Sequence, residues 1–136
     1  MKISHAFITV DDHDKALAFY RDLLGCTVHT DVSMGDYRWV TIVAPGTPDI
    51  EITLESVGSA PDANPADREA LAGLLAKGML RAPLFSVDSV DETFARLEAG
   101  GADVIQEPFD QPYGVRDCAF RDPAGNMVRF NQPLAG

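Results

Sequence analysis

The chain has 136 residues and a formal net charge of −10, with 46% hydrophobic and 24% charged residues. This length suits one domain with a real core, and no apolar run reaches the roughly 18 residues of a membrane-spanning helix, so we expect no membrane partner. The acidic balance would repel a phosphate backbone on average, so we expect no nucleic-acid partner. The first residues read as a strand rather than a secretory signal, and we expect a cytoplasmic protein.

The first half of the chain combines strand and helix patterns. Apolar and polar side chains alternate over residues 3–10, which predicts a strand. Apolar residues then recur at helical spacing over 11–25, and Gly25 closes that helix. Three more strands are predicted at 26–32, 37–44 and 49–56, the last two joined by a Pro-Gly turn.

A linker with a short helix follows over residues 57–79. Asn64 is the predicted N-cap, Pro65 the first helical residue and Gly78 the stop. Leucines give this helix an apolar stripe, formed by Leu71, Leu74 and Leu75.

The second half repeats the first. Its predicted elements are a strand at 84–87, a helix at 88–101, a strand at 103–108 and two strands around the turn at 123–126. A shift of 77 places residues 8–14 on 85–91, and a shift of 78 places 50–54 on 128–132. The repeated order predicts one α+β domain built from two βαβββ repeats, 3–56 and 80–133, which form a curved mixed sheet around a cleft with helices on the outer face.

Alternation along the strands separates a face under the helices from an open face. The residues predicted for the helix side are Ala6, Ile8, Val10, Val40, Ile42, Ile50, Ile52, Leu54, Phe85, Val87, Cys118, Phe120, Val128 and Phe130. The open face then mixes apolar groups with His5, Glu51 and Arg129. Such a mixture around a cleft is typical of a small-molecule site, and the alternative is a face that packs against another subunit.

The chain resembles the vicinal oxygen chelate superfamily, which includes glyoxalases, extradiol dioxygenases, fosfomycin-resistance enzymes and bleomycin-binding proteins. The resemblance is carried by HAFITVDDHDKALAFYRDLLG at 5–25, by FRDPAGNMVRF at 120–130 and by the duplicated βαβββ order. It implies a cleft in which four side chains, two from each half, hold a divalent metal.

By this resemblance His5 and Glu51 match the two ligands of the first half, whereas Ala82 and Arg129 occupy the two positions of the second. The internal repeat leads to the same four positions, because Ala82 lies 77 residues after His5 and Arg129 lies 78 after Glu51. Alanine offers no donor atom and arginine is a cation. We therefore expect no metal cofactor, and the alternative is a degenerate divalent-metal site on His5 and Glu51.

Arg129 is expected to form an ion pair with Glu51, since guanidinium groups bind carboxylates bidentately. This pair would hold the two halves in register or present donors to a ligand. The two remaining histidines are not expected to complete a metal site, because His13 lies at a strand-to-helix junction and His29 on a short outer strand.

Three aromatic residues complete the predicted ligand site. Phe7 and Trp39 belong to the open face, and Tyr113 lies in the loop QPYGV near the mouth of the cleft. The sequence favours a metal-free protein that binds a small hydrophobic or planar aromatic molecule. The resemblance suggests that such a protein sequesters a natural product or antibiotic as a means of resistance, and we lean against an enzyme.

Two enzymatic alternatives stay open. One is a metal-dependent lyase, isomerase or dioxygenase of the glyoxalase type. The other is metal-free catalysis with Glu51 or His5 as general base and Arg129 stabilising an enolate-like charge. We expect a homodimer, as is common in the superfamily, and the sequence is compatible with a cleft inside one chain and with a cleft shared by two.

Overall fold

The computed structural model describes residues 1–135. In chain order its elements are β1 (His5–Val10), α1 (His13–Leu17), β2 (Thr27–Met34), β3 (Tyr37–Val43), β4 (Glu51–Ser56), α2 (Pro65–Ala76), β5 (Phe85–Ser86), α3 (Val90–Ala99), β6 (Asp103–Asp110), β7 (Val115–Arg121) and β8 (Met127–Pro133). A π-helical segment, Ala18–Leu23, continues α1. Within residues 1–135 no helix is long and apolar enough to cross a membrane.

The strands form two four-stranded mixed sheets, ordered β1-β4-β3-β2 and β5-β8-β7-β6. β1 pairs in parallel with β4, and β5 pairs in parallel with β8. The remaining neighbours in each sheet are antiparallel. The same order in both sheets confirms the predicted α+β fold with a duplicated βαβββ unit.

Both outer strands carry a β-bulge at the equivalent place. The pairing of β2 with β3 shifts by one residue at His29, and that of β6 with β7 shifts at Ile105. A bulge leaves one residue without a ladder partner and changes which way the neighbouring side chains point. Beyond the bulge in β2, Val32 lies opposite Trp39 and therefore belongs to the open face. Regular alternation from Val28 would have placed it on the helix side.

The two sheets share one core. Of the fourteen residues predicted for the helix side, ten are at most 4% exposed and the other four are partly buried. All but Ile50 cluster with apolar side chains of α1, the π-helical segment and α3, such as Leu17, Tyr20 and Leu97. Each open face therefore lies on the side of its sheet that is turned away from this core.

The turn between β7 and β8 ties the two halves together through Asp122, which is buried. Its Oδ1 accepts from three successive backbone N–H groups of the turn at 2.9–3.0 Å. Its Oδ2 accepts from the hydroxyl of Tyr20 at 2.6 Å and from Nδ2 of Asn126 at 2.9 Å. The same Nδ2 donates to the carbonyl oxygen of Thr9. Burial and the neighbouring carboxylate raise the pKa of Tyr20 well above its ordinary value, so its hydroxyl stays a donor.

The linker helix α2 docks on this turn. Asn64 caps the helix as predicted, and its buried contact is Leu75, whereas Leu71 and Leu74 are 37% and 44% exposed. Gly125 has a φ of 115°, and a Cβ there would collide with the carbonyl oxygen of Leu75. Only glycine therefore allows the turn and the end of α2 to approach this closely.

Candidate functional site

The first open face is organised around Glu51 on β4. Its Oε1 accepts from Oγ1 of Thr41 at 2.9 Å and lies 2.8 Å from Nδ1 of His29, while its Oε2 lies 3.3 Å from Nε2 of His5. The Thr41 hydrogen bond, together with the two nearby imidazoles, lowers the pKa of Glu51 against the opposing effect of desolvation. Glu51 is therefore a carboxylate at neutral pH whose two oxygens both have donors.

From the sequence, His29 was considered only as a possible metal ligand, and the structure places its ring against Glu51. β2 lies two strands away from β4 in the sheet, but the bulge at His29 and the length of both side chains allow His29 to reach Glu51 across β3. His13 is placed differently, because its Nε2 lies 2.9 Å from the carbonyl oxygen of Leu54. The first open face thus has two imidazoles beside one carboxylate.

Aromatic side chains flank this polar group. Trp39 on β3 is partly buried and lies beside Tyr37, with ring centroids 6.4 Å apart. Phe7 on β1 is 58% exposed. An apolar ring that is mostly exposed next to a fixed carboxylate is a typical component of a binding surface.

The second open face is organised around Asp117, which is 1% exposed. Its Oδ1 accepts from Nε2 of Gln106 at 2.7 Å and from Nε2 of Gln111 at 3.0 Å. Arg129 donates from one guanidinium nitrogen to Oδ2 of Asp117 at 3.3 Å and to Oε1 of Gln106 at 2.8 Å. Burial alone would raise the pKa of Asp117, but the hydrogen bonds from both glutamines and the charge of Arg129 lower it overall.

Tyr113 belongs to this second group. Its hydroxyl lies 3.5 Å from Oδ2 of Asp117, and the residue is 69% exposed. The loop therefore brings an accessible aromatic ring next to the Asp117–Arg129 pair.

The predicted ion pair between Glu51 and Arg129 was wrong. Within residues 1–135 the ionisable side chains paired with Glu51 are two histidines, and the one paired with Arg129 is Asp117. The physical reason is that each open face is turned away from the shared core, so the two groups lie on separate faces of the chain. A cavity of about 550 Å³ lies elsewhere, between the β3–β4 turn and the start of α3, and none of the predicted site residues lines it.

The four positions implied by the superfamily do not fit a metal ion. Ala82 has no side-chain donor, and the guanidinium of Arg129 is a cation already bonded to Asp117 and Gln106. In the first half, His5 and His29 each direct a ring nitrogen to an oxygen of Glu51. In the part of the chain that the structure describes, no group of three or more His, Cys, Asp and Glu side chains is arranged to hold a metal ion.

Sequence reasoning missed part of each group. Asp117 carried a usable signal, because alternation placed it on the open face and the repeat aligns it with Trp39, 78 residues earlier. A buried carboxylate near an arginine is the expected neutralising arrangement. Gln106 had no comparable signal, since its orientation depends on the bulge at Ile105.

The order of strands defines a duplicated βαβββ protein, each half of which carries a face with polar and aromatic side chains. A model of the Glyoxalase/Bleomycin resistance protein/Dioxygenase superfamily matches residues 2–130, and the chain belongs to this superfamily. The uncharacterized protein YurT of Bacillus subtilis is 35% identical over 97% of this chain and 99% of its own length.

Two solved structures extend the likeness. UcmS2 has 34% identity and a TM-score of 0.87, with 96% of this chain and 97% of that chain covered. TnmS3, an antibiotic binding protein from Streptomyces sp. CB03234, has 29% identity and a TM-score of 0.75, with 98% of this chain and 96% of that chain covered.

Proposed function

We propose that this protein binds a planar aromatic small molecule, such as a natural product or antibiotic, without a metal ion and sequesters it. The observation that carries the proposal is the composition of the two open faces, where partly or mostly exposed aromatic rings lie on the same faces as hydrogen-bonded charged groups. The likeness to an antibiotic binding protein supports the choice of ligand class. The unsuitable chemistry of Ala82 and Arg129 as ligands supports the metal-free reading.

The cleft of this proposal is built by two copies of the chain. Nine large apolar side chains on or next to the open faces are 38–71% exposed in the single chain, namely Ile3, Phe7, Val32, Met34, Tyr37, Leu84, Ile105, Phe109 and Tyr113. Large apolar side chains gathered on two faces are typical of an interaction site. A homodimer that sets the first open face of one copy against the second open face of the other would cover it and enclose two identical clefts.

Each cleft would then combine complementary halves. The first face contributes Trp39, Phe7 and the Glu51 group, and the second contributes Tyr113 and Arg129. The aromatic rings would stack on the ligand, and the charged groups at opposite walls would fix its orientation.

Fluorescence of Trp39 tests the binding, because it is the only tryptophan in the chain. We expect saturable quenching by at least one member of a panel of planar aromatic natural products, unchanged after extensive treatment with a chelator. Absence of quenching and of binding heat throughout the panel would refute the proposed function. A loss of binding after chelation that a divalent metal restores would refute its metal-free part.

Mixed dimers test the shared cleft. Trp39→Ala damages only the first face, and Tyr113→Ala damages only the second. If each cleft is shared by two copies, a dimer of either variant alone has a substitution in both of its clefts. A mixed dimer has both substitutions in one cleft and none in the other. We expect calorimetry on the mixed dimer to recover one high-affinity site per dimer. No recovery in a dimer proven to be mixed would refute a cleft that joins the first face of one copy to the second face of the other.

A further inference from the structure

The histidine at the β2 bulge offers the ligand a hydrogen-bond acceptor. Glu51 is ionised at neutral pH, so its oxygens only accept hydrogen bonds. Nδ1 of His29 lies 2.8 Å from Oε1 of Glu51, and this close carboxylate favours the tautomer that carries its proton on Nδ1. When the imidazole is neutral, its Nε2 is then left without a proton and has a free lone pair.

His5 differs from His29 in this respect. Its Nε2 faces Glu51 and its Nδ1 lies 2.9 Å from Oγ of Ser4, so both of its ring nitrogens have partners. The side chain of His29 is 60% exposed, compared with 38% for His5. Of the two imidazoles on the first open face, His29 is therefore the one with an accessible ring nitrogen to offer.

The bulge in β2 determines where the side chain of His29 lies. His29 is the extra residue of β2, and it stands beside Thr30, whose Oγ1 lies 3.2 Å from Nδ1 of His29. The equivalent bulge of the second half carries Ile105, which has no polar atom in its side chain. The acceptor thus belongs to the first face alone, while Arg129 and Tyr113 supply donors on the second.

We propose that His29 selects ligands that carry a phenolic hydroxyl on their aromatic ring system, with the hydroxyl donating to Nε2 of His29. This inference rests on the proposed function and specifies the ligand class of the same site. An aromatic ether of the same shape lacks the donor and would leave Nε2 unpaired inside the cleft.

A matched pair of probes tests the inference: 2-naphthol, whose hydroxyl stays protonated at neutral pH, and 2-methoxynaphthalene. We expect calorimetry to show the naphthol binding about tenfold more tightly to the unaltered protein, as one hydrogen bond implies. His29→Ala should bring this ratio close to one. His29→Asn should do the same, because asparagine can still donate to Glu51 but has no acceptor at the position of Nε2.

A control variant separates this role from general effects of losing a histidine. His13→Asn removes an imidazole that contacts Leu54 rather than Glu51, and the tenfold preference should persist. Equal affinity for both probes in the unaltered protein would overturn the inference while leaving the proposed function intact. A preference that survives in His29→Asn would also overturn it, because the selectivity would then come from another group. If no planar aromatic binds at all, the proposed function and this inference fall together.

Discussion

The first open face places Glu51 where the second places Arg129, and it places Trp39 where the second places Asp117. The two faces have the same strand order and a bulge at the same position. Their electrostatics are nevertheless different in kind. Glu51 is partly exposed beside two histidines that need not be charged, whereas Asp117 is buried and depends on Arg129 for its neutralisation.

This difference indicates that the two halves of a duplicated fold can tolerate substitution to different degrees. A buried carboxylate that loses its counter-charge destabilises the protein strongly, so the second face has little freedom to change. A partly exposed carboxylate can be rehydrated, so the first face can be altered at low cost and is the better place to vary ligand preference. The two faces should therefore respond differently to substitution.

The largest effect is expected at the turn that joins the last two strands of the second half. Gly125→Ala would collide with the carbonyl oxygen of Leu75 and would also hold alanine at a φ of 115°. We expect a loss of roughly 4 kcal/mol in the free energy of unfolding, measured by urea denaturation. Gly46→Ala is the matched control, because Gly46 also has a positive φ but no atom within 4 Å of its added Cβ, so about 1 kcal/mol is expected. Equal losses would mean that the contact with α2 contributes nothing.

The next largest effect on the free energy of unfolding is expected when the charged groups of the two faces are substituted. Arg129→Met removes the guanidinium and leaves Asp117 buried with only its glutamine and tyrosine donors. We expect a loss of about 3 kcal/mol in unfolding free energy, at the lower end for a broken buried pair because those donors remain. Glu51→Gln on the first face should change the unfolding free energy far less. If the two substitutions had the same effect, the proposed asymmetry between the faces would be wrong.

The sequence predicted the backbone better than the contacts of the site. Alternation identified the core side of β1, β3, β4, β7 and β8, and the repeat identified the positions equivalent to His5 and Glu51. These inferences succeed because burial of apolar side chains follows the period of a strand. The Glu51–Arg129 pair failed because equivalence by repeat says nothing about how the two sheets pack, and His29 was missed because its reach depends on a bulge.

A smaller difference between the two faces is expected in the pH dependence of stability. The pKa of Asp117 is lowered in the folded protein, so its contribution to stability is present above the ordinary carboxyl pKa of about 4 and is lost as the pH falls through the lower folded value. Asp117→Asn should therefore flatten the fall in urea midpoint between about pH 5 and pH 3. Glu51→Gln should flatten it less, because Glu51 is more exposed to water. A steeper acid dependence in Asp117→Asn would contradict the direction of the shift.

The smallest effect on stability is expected at Tyr113, where ligand binding and folding should separate. Its hydroxyl makes a long contact of 3.5 Å with Asp117, and the residue is 69% exposed, so Tyr113→Phe should change the unfolding free energy by less than about 0.5 kcal/mol. The ring remains in Tyr113→Phe, so affinity for a planar aromatic should also be nearly unchanged. Tyr113→Ala should leave stability similar but weaken binding at least severalfold, because a stacking surface is lost. Equal binding by the Phe and Ala variants would remove Tyr113 from the cleft and leave Arg129 as the ligand contact that the second face supplies.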